Sequence, residues 1–500
     1  MIHLAGARRA LLQLTNPTLL RERCYIDGTW VGVEGGPRVP VINPATGDVI
    51  ATVPWLDVAH ARQAVAAAKA AIPTWAARPA RERATILHRW SALILANLED
   101  LAYLVTMEQG KPLAAAMREI AFAASLVQHL ADAAKRVDAE RVPARGSDRR
   151  RLTLLHPMGV CAAFASWHFP FSMIARMATA PLAAGCAVIL RPAPQTPLSA
   201  LAAAALAEAA GVPHGTLNIV TGPAGAIARE FAANTVVRKL TFGGACEIGR
   251  RLLRTRPDAV EKITIGRGRA AVLIFDDANV DAAVHSALCS TFRNDGQHVP
   301  ASRLLIQRGI YGVFATQYVA AVRALKVGPG IEPQTEIGPL IDAAALHRVE
   351  RQIADACSQG ATLATGGQRH ARGGLFFEPT VLYHMTPGML NGLTDSSGLV
   401  VPLILFNNEA EALAMANQCE ANPATYLFTR DVGRVYRVAQ GLRTGILGVS
   451  TGGLPSEGGP FSEPRPSASG LNGGDDEIRA YLQVKNVCFV ESSRHPPLSG

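Results

Sequence analysis

Residues 159–190 read GVCAAFASWHFPFSMIARMATAPLAAGCAVIL. The short apolar runs at 159–165 and 187–190 read as strands, and the segment 171–184 between them reads as a helix. Strand, helix and strand in succession predict a parallel sheet with helices on both faces, a scaffold on which nucleotides are commonly bound. The rhythm continues outward, with strands expected at 217–220, 237–242 and 262–265 and helices at 197–210, 224–233 and 245–254.

A second α/β set follows. It comprises strands at 271–275, 400–406 and 446–449 and helices at 280–293, 311–325, 343–359, 409–417 and 431–440. Helical periodicity dominates the first 140 residues, with an amphipathic helix at 57–71. Another is expected over 81–107, ended by Gly110 and Pro112. The Gly-, Pro- and Ser-rich stretch 450–476 reads as irregular loop. The alternating tail 481–490 reads as a strand needing a partner edge, such as one from another subunit. No internal repeat is found.

Composition narrows the function classes. Five hundred residues with 49% hydrophobic and 18% charged positions describe a folded chain of two to four domains. No apolar stretch is long enough for a membrane span; the Ala-rich segment from Leu198 is interrupted by Glu208. The net charge of +9 comes as short Arg clusters without interleaved aromatic platforms, so no nucleic-acid partner is expected. Eight scattered cysteines form no CxxC pair and no zinc spacing, which points to a reducing, cytoplasmic setting without a metal.

Several segments are more specific. VINPATGDVIATVP (41–54), MEQGKPLAAAMREI (107–120), PLAAGCAVILRPAPQTPLSA (181–200), GVPHGTLNIVTG (211–222) and FRNDGQHV (292–299) resemble the aldehyde dehydrogenase superfamily. KVGPGIEPQTEIGPLID (326–342) and FFEPTVL (376–382) resemble its succinate-semialdehyde dehydrogenase branch. The resemblance implies an α/β fold with a Rossmann-like dinucleotide-binding domain (1–131 and 156–265) and a second, catalytic-type α/β domain (266–465). It adds a small β extension for oligomerisation (132–155 and 466–492) and a homodimer or homotetramer.

In that family a Cys thiolate attacks the aldehyde, an Asn side chain and a backbone N–H hold the oxyanion, and hydride leaves to NAD(P). A Glu-activated water then releases the acid. Here the family's thiol position is Val299, and Ala301 stands where the branch often carries a second Cys. Cys289 reads as a buried small hydrophobe. The oxyanion Asn is His168, and no carboxylate remains at 265–268, where the Glu falls. For the cofactor, the resemblance points to Arg191 in place of a Lys, to Gly243, Gly244 and Ala245 at a helix start, and to Asp395 in place of a Glu. Pro194 replaces the usual carboxylate acceptor for the ribose, so NADP is expected to bind at least as well as NAD, if either binding is retained rather than weakened or lost. Arg176 and Arg293 match the branch's clamp for the substrate's far carboxylate.

These replacements lead to the expectation of a repurposed enzyme. His168 and His298, with Asp295 orienting one of them, would perform acid–base, non-thioester chemistry on a small carboxylate-bearing metabolite held by Arg176 and Arg293. Two alternatives stay open: a non-catalytic binding or assembly subunit, and an NAD(P)-dependent semialdehyde oxidoreductase with an unrecognised nucleophile.

Overall fold

The computed structural model describes residues 14–137, 149–243, 262–266, 270–293, 301–386, 388–389, 399–418, 424–451, 461–462, 471–472 and 476–490. Two seven-stranded sheets organise them. In the first, Lys262–Gly266, Val237–Gly243, Val160–Phe164, Ala187–Arg191 and Leu217–Ile219 run parallel in that order. The runs Val160–Phe164, Ala187–Arg191 and Leu217–Ile219 are buried along their whole length, as expected of strands covered on both faces. The sheet is closed at one edge by the antiparallel hairpin Cys24–Ile26 and Thr29–Val31. Asp27 and Gly28, both at positive φ (51° and 72°), make its two-residue turn.

From Val160–Phe164 the chain first winds outward to Ala187–Arg191 and Leu217–Ile219, then returns to place Val237–Gly243 on the other side. The carboxyl ends of Val160–Phe164 and Val237–Gly243 therefore flank a topological switch point, the place where open α/β sheets bind ligands.

The second sheet runs Thr362–Thr365, Thr380–Tyr383, Val400–Phe406, Ala301–Gln307, Ala270–Ile274, Ala424–Phe428 and Ile446–Val449. All are parallel except the first pair. It has its own core, centred on Phe275, Phe314, Tyr318, Phe377, Phe406 and Tyr426. Arg149–Pro157 and Leu482–Val490 pair antiparallel over nine positions as a two-stranded arm. The short helix Asp476–Arg479 precedes the arm, and Ile478 and Tyr481 pack into the first core. Among the described residues no helix is long and apolar enough to cross a membrane.

The α/β class is as expected, with local differences. The helix expected over 81–107 is two helices, Ala80–Ala96 and Leu98–Gln109. Asn97 breaks them: it leaves helical geometry (φ −114°, ψ 25°) and turns its amide back onto the Leu93 carbonyl. The helix expected over 280–293 is α only for Val280–Leu288 and becomes a π turn over Cys289–Arg293. The expected helix 245–254 lies outside the described residues.

Candidate active site

His168 lies in the loop that leaves Val160–Phe164 at the switch point. That loop is tied to the neighbouring strand by Ala165 N donating to the Arg191 carbonyl (3.0 Å). The His168 ring is half-buried and stacked on Trp167, with centroids 3.6 Å apart and planes at 21°. Pro170 then starts the helix Pro170–Ala184, its fixed φ suiting a first helical turn. The first amides of that helix are satisfied by a remote carboxylate: Glu119 Oε1 accepts from Phe171 N and Ser172 N, each at 3.0 Å. Glu119 also pairs with Lys111 (2.6 Å), and Lys111 Nζ donates to the His168 carbonyl at 3.1 Å.

Across the switch point Gly243 ends Val237–Gly243. A Cβ there would strike Met173 Cε and lie 2.8 Å from Met177 Cε, so the ends of those two side chains would have to move to admit one. Arg191 ends the adjacent strand Ala187–Arg191 and is buried. Its Nη2 donates to the Gly222 carbonyl (2.8 Å), while Nε finds no partner among the described residues. Desolvation pushes the guanidinium pKa down to about 10, with no carboxylate among the described residues offsetting it. A buried cation at the carboxyl edge of a parallel sheet is suited to an anionic ligand.

Arg176 departs from the expectation of a guanidinium offered to a ligand. Its Nε and Nη2 donate to the two carboxylate oxygens of Glu477 at 2.9 and 3.0 Å, a bidentate pair largely out of solvent. Glu477 is 301 positions away along the chain, so sequence spacing gave no hint of it. Cys289 is half-buried rather than buried, with Sγ 3.8 Å from His285 Nε2. Arg293 ends the π turn, a helix defect frequent at functional sites, and only its backbone is described. Gly244, Ala245, Asp295, His298, Val299 and Asp395 lie outside the described residues.

Lys111 and Glu119 are what sequence reasoning missed. The helix Leu113–Ala134 buries Ala116, Ile120, Ala123 and Val127 on one stripe, and Glu119 belongs to that stripe. A lone charge at an apolar-face position was the available sign.

The aldehyde dehydrogenase family model matches residues 30–487. The chain is 44% identical to the glutarate-semialdehyde dehydrogenase of Pseudomonas aeruginosa over 480 residues, covering 96% of this chain and 99% of that protein. It is 43% identical to the NADP(+) succinate-semialdehyde dehydrogenase of Escherichia coli, over 96% of this chain and all of that one. The crystal structure of an E. coli NADP dependent enzyme superimposes with a TM-score of 0.92 at 42% identity, covering 96% of this chain and 100% of that chain. These relatives overturn the expectation of a repurposed acid–base enzyme built on His168 and His298. Chains this similar over their whole length are named for semialdehyde oxidation, the reading held above as an alternative.

Proposed function

The chain belongs to the aldehyde dehydrogenase family, and from that premise we propose that it is an NAD(P)-dependent oxidoreductase of a small, carboxylate-bearing semialdehyde, with NADP preferred. The observation that carries this reading is the whole-length identity of 43–44% to succinate- and glutarate-semialdehyde dehydrogenases. The reaction takes the aldehyde and water to the carboxylate, releasing a hydride and two protons. The dinucleotide, when bound, supplies the hydride acceptor. Gly243, with Gly244 and Ala245 after it, would receive its phosphates, and Asp395 its nicotinamide ribose. Arg191 supports NADP in particular, because an extra phosphate would give this buried guanidinium an anion that none of the described residues supplies.

At the reacting carbon, His168, at the family's oxyanion-Asn position, is the hydrogen-bond donor to the developing oxyanion. Val299 offers no thiol, so the adduct that yields the hydride forms on a group other than the residue 299 side chain. Arg293 is the guanidinium for the distal carboxylate, and Arg176 joins it only when Glu477 is displaced. The arm, with Val484 and Phe489 exposed, is read as the assembly element of a homodimer or homotetramer working in the cytoplasm.

The test is turnover of succinic and glutaric semialdehyde with each dinucleotide, followed by the absorbance of the reduced nicotinamide. NADP-dependent oxidation of either substrate is expected, and loss of it on thiol alkylation assigns the attack to a cysteine. No reduction of either dinucleotide by either substrate sinks the proposal.

A further inference from the structure

Two structural units meet at Lys111. Its backbone is seated against the second unit: Leu113 N donates to the Gly330 carbonyl at 2.8 Å, and a Cβ at Gly330 or Gly338 would strike the carbonyls of Lys111 and Gly110. Its side chain reaches into the first unit. Nζ lies 2.6 Å from Glu119 Oε2, 3.1 Å from the His168 carbonyl and 4.6 Å from the centroid of the Phe169 ring. The Lys111 side chain is 7% exposed and that of Glu119 0%. Glu119 continues the chain of contacts to Phe171 N and Ser172 N, and Trp167 packs against the core of the second unit while stacking on His168.

A buried ion pair contributes little net stability, because desolvating two charges offsets most of their attraction. What this pair supplies is a fixed geometry. Residues 168–172 are held at a carbonyl by the cation and at two amides by the carboxylate, so the segment cannot slide without stranding a buried charge. An oxyanion donor acts only when it stands at the right place before reaction, and a misplacement of about 1 Å can cost on the order of a hundredfold in rate.

The geometry points to Lys111 and Glu119 as positioning residues that set His168 at the reaction centre and key its placement to the junction of the two units. This inference rests on the oxidoreductase reading above. Neither residue is catalytic, since each acts through the segment 168–172.

Three variants test it: Lys111→Met, Lys111→Met with Glu119→Gln, and Gly338→Ala, which pushes on the Gly110 carbonyl and leaves both charges in place. The readouts are kcat and KM with semialdehyde and NADP, thermal midpoint, and hydrogen–deuterium exchange of peptides spanning 165–173. Lys111→Met is expected to lower kcat by about 10- to 100-fold, with KM for NADP changed by less than about twofold. Exchange should quicken over 165–173 and hold elsewhere. The double variant leaves no unpaired buried charge and keeps an acceptor for the two amides, so its thermal midpoint should recover while rate and local exchange do not. Gly338→Ala should show the same signature in milder form. The inference is overturned if the double variant regains rate along with stability, or if exchange over 165–173 is unchanged in Lys111→Met. Should the unaltered enzyme oxidise neither semialdehyde, the oxidoreductase reading fails, and the exchange measurement alone still decides whether the pair positions the segment.

Discussion

The Tyr318 and Thr291 hydroxyls lie 2.7 Å apart, fully buried beneath the π turn Cys289–Arg293. Thr291 Oγ1 already donates to the Ala287 carbonyl at 2.7 Å, so Tyr318 is the donor of the pair. Phe314 stacks on Tyr318 at 5.5 Å and fixes its ring. This bond holds the extra residue of the turn in register just before Arg293. Tyr318→Phe keeps the packing and removes only the donor, so a loss of about 1 kcal/mol is expected. KM for the semialdehyde should rise severalfold, with kcat less affected, because Arg293 shifts at the end of the turn. Urea unfolding and steady-state kinetics check both, and an unchanged KM would separate the π turn from substrate binding.

Arg191→Met replaces a buried cation with a side chain of similar volume. Two opposite effects are expected from one change. The cofactor-free protein becomes more stable, because desolvation of a buried guanidinium that pairs with no carboxylate among the described residues is relieved. Affinity for NADP falls by at least about tenfold while that for NAD stays within about twofold, which calorimetry resolves. Equal losses for the two dinucleotides would place Arg191 away from the extra phosphate.

Glu108 is completely buried and accepts from Leu198 N (2.7 Å) and Ser199 N (3.0 Å) at the start of Leu198–Ala210. Burial pushes its pKa up to about 8, the helix amides opposing the rise only in part. Between the ordinary carboxyl range and about pH 8 the folded state holds a proton that the unfolded state has released. Stability carried by this group is therefore present at low pH and lost as pH rises through that window. Glu108→Gln removes the titration. The wild-type urea midpoint should fall relative to the variant's on going from about pH 5 to about pH 9, and parallel profiles would count against the shift.

Val484 and Phe489 on the arm are 64% and 54% exposed in the single chain. Burying one such side chain contributes about 1.5–3 kcal/mol. Val484→Lys with Phe489→Lys should weaken self-association by at least about a hundredfold, seen by light scattering as a shift to smaller species with unchanged circular dichroism. A wild-type protein that scatters as a monomer at micromolar concentration would remove the assembly role.

Strands covered on both faces were readable to within a residue or two, because continuous apolar runs leave little choice of period, as at Val160–Phe164 and Ala187–Arg191. Short half-exposed strands were not. The signal for the first hairpin was nonetheless present, as Asp27-Gly28 between CYI and TWV, a pair suited to positive φ at both turn positions. At the site, His168 could be located from its motif, but its support could not. Lys111 lies in the Gly-Lys-Pro break, outside the helix that carries Glu119, so no helical spacing relates them. Glu477 escaped notice for a different reason: its partner Arg176 is brought to it only by the tertiary fold.

The docking of Ile478 and Tyr481 into the first core also bears on how the molecule is made. Lys239 donates to the Ala480 carbonyl at 3.0 Å and lies 3.9 Å from the Tyr481 ring centroid, and Cys186 Sγ donates to the Tyr481 carbonyl at 3.4 Å. The floor beneath the parallel sheet is therefore supplied by residues translated more than 200 positions after it. On the ribosome the residues of the second core have all been made once Ile446–Val449 emerges, whereas the first core still lacks Ile478 and Tyr481. The unit begun first is finished last, and a premature stop anywhere before Tyr481 damages the fold at its opposite end.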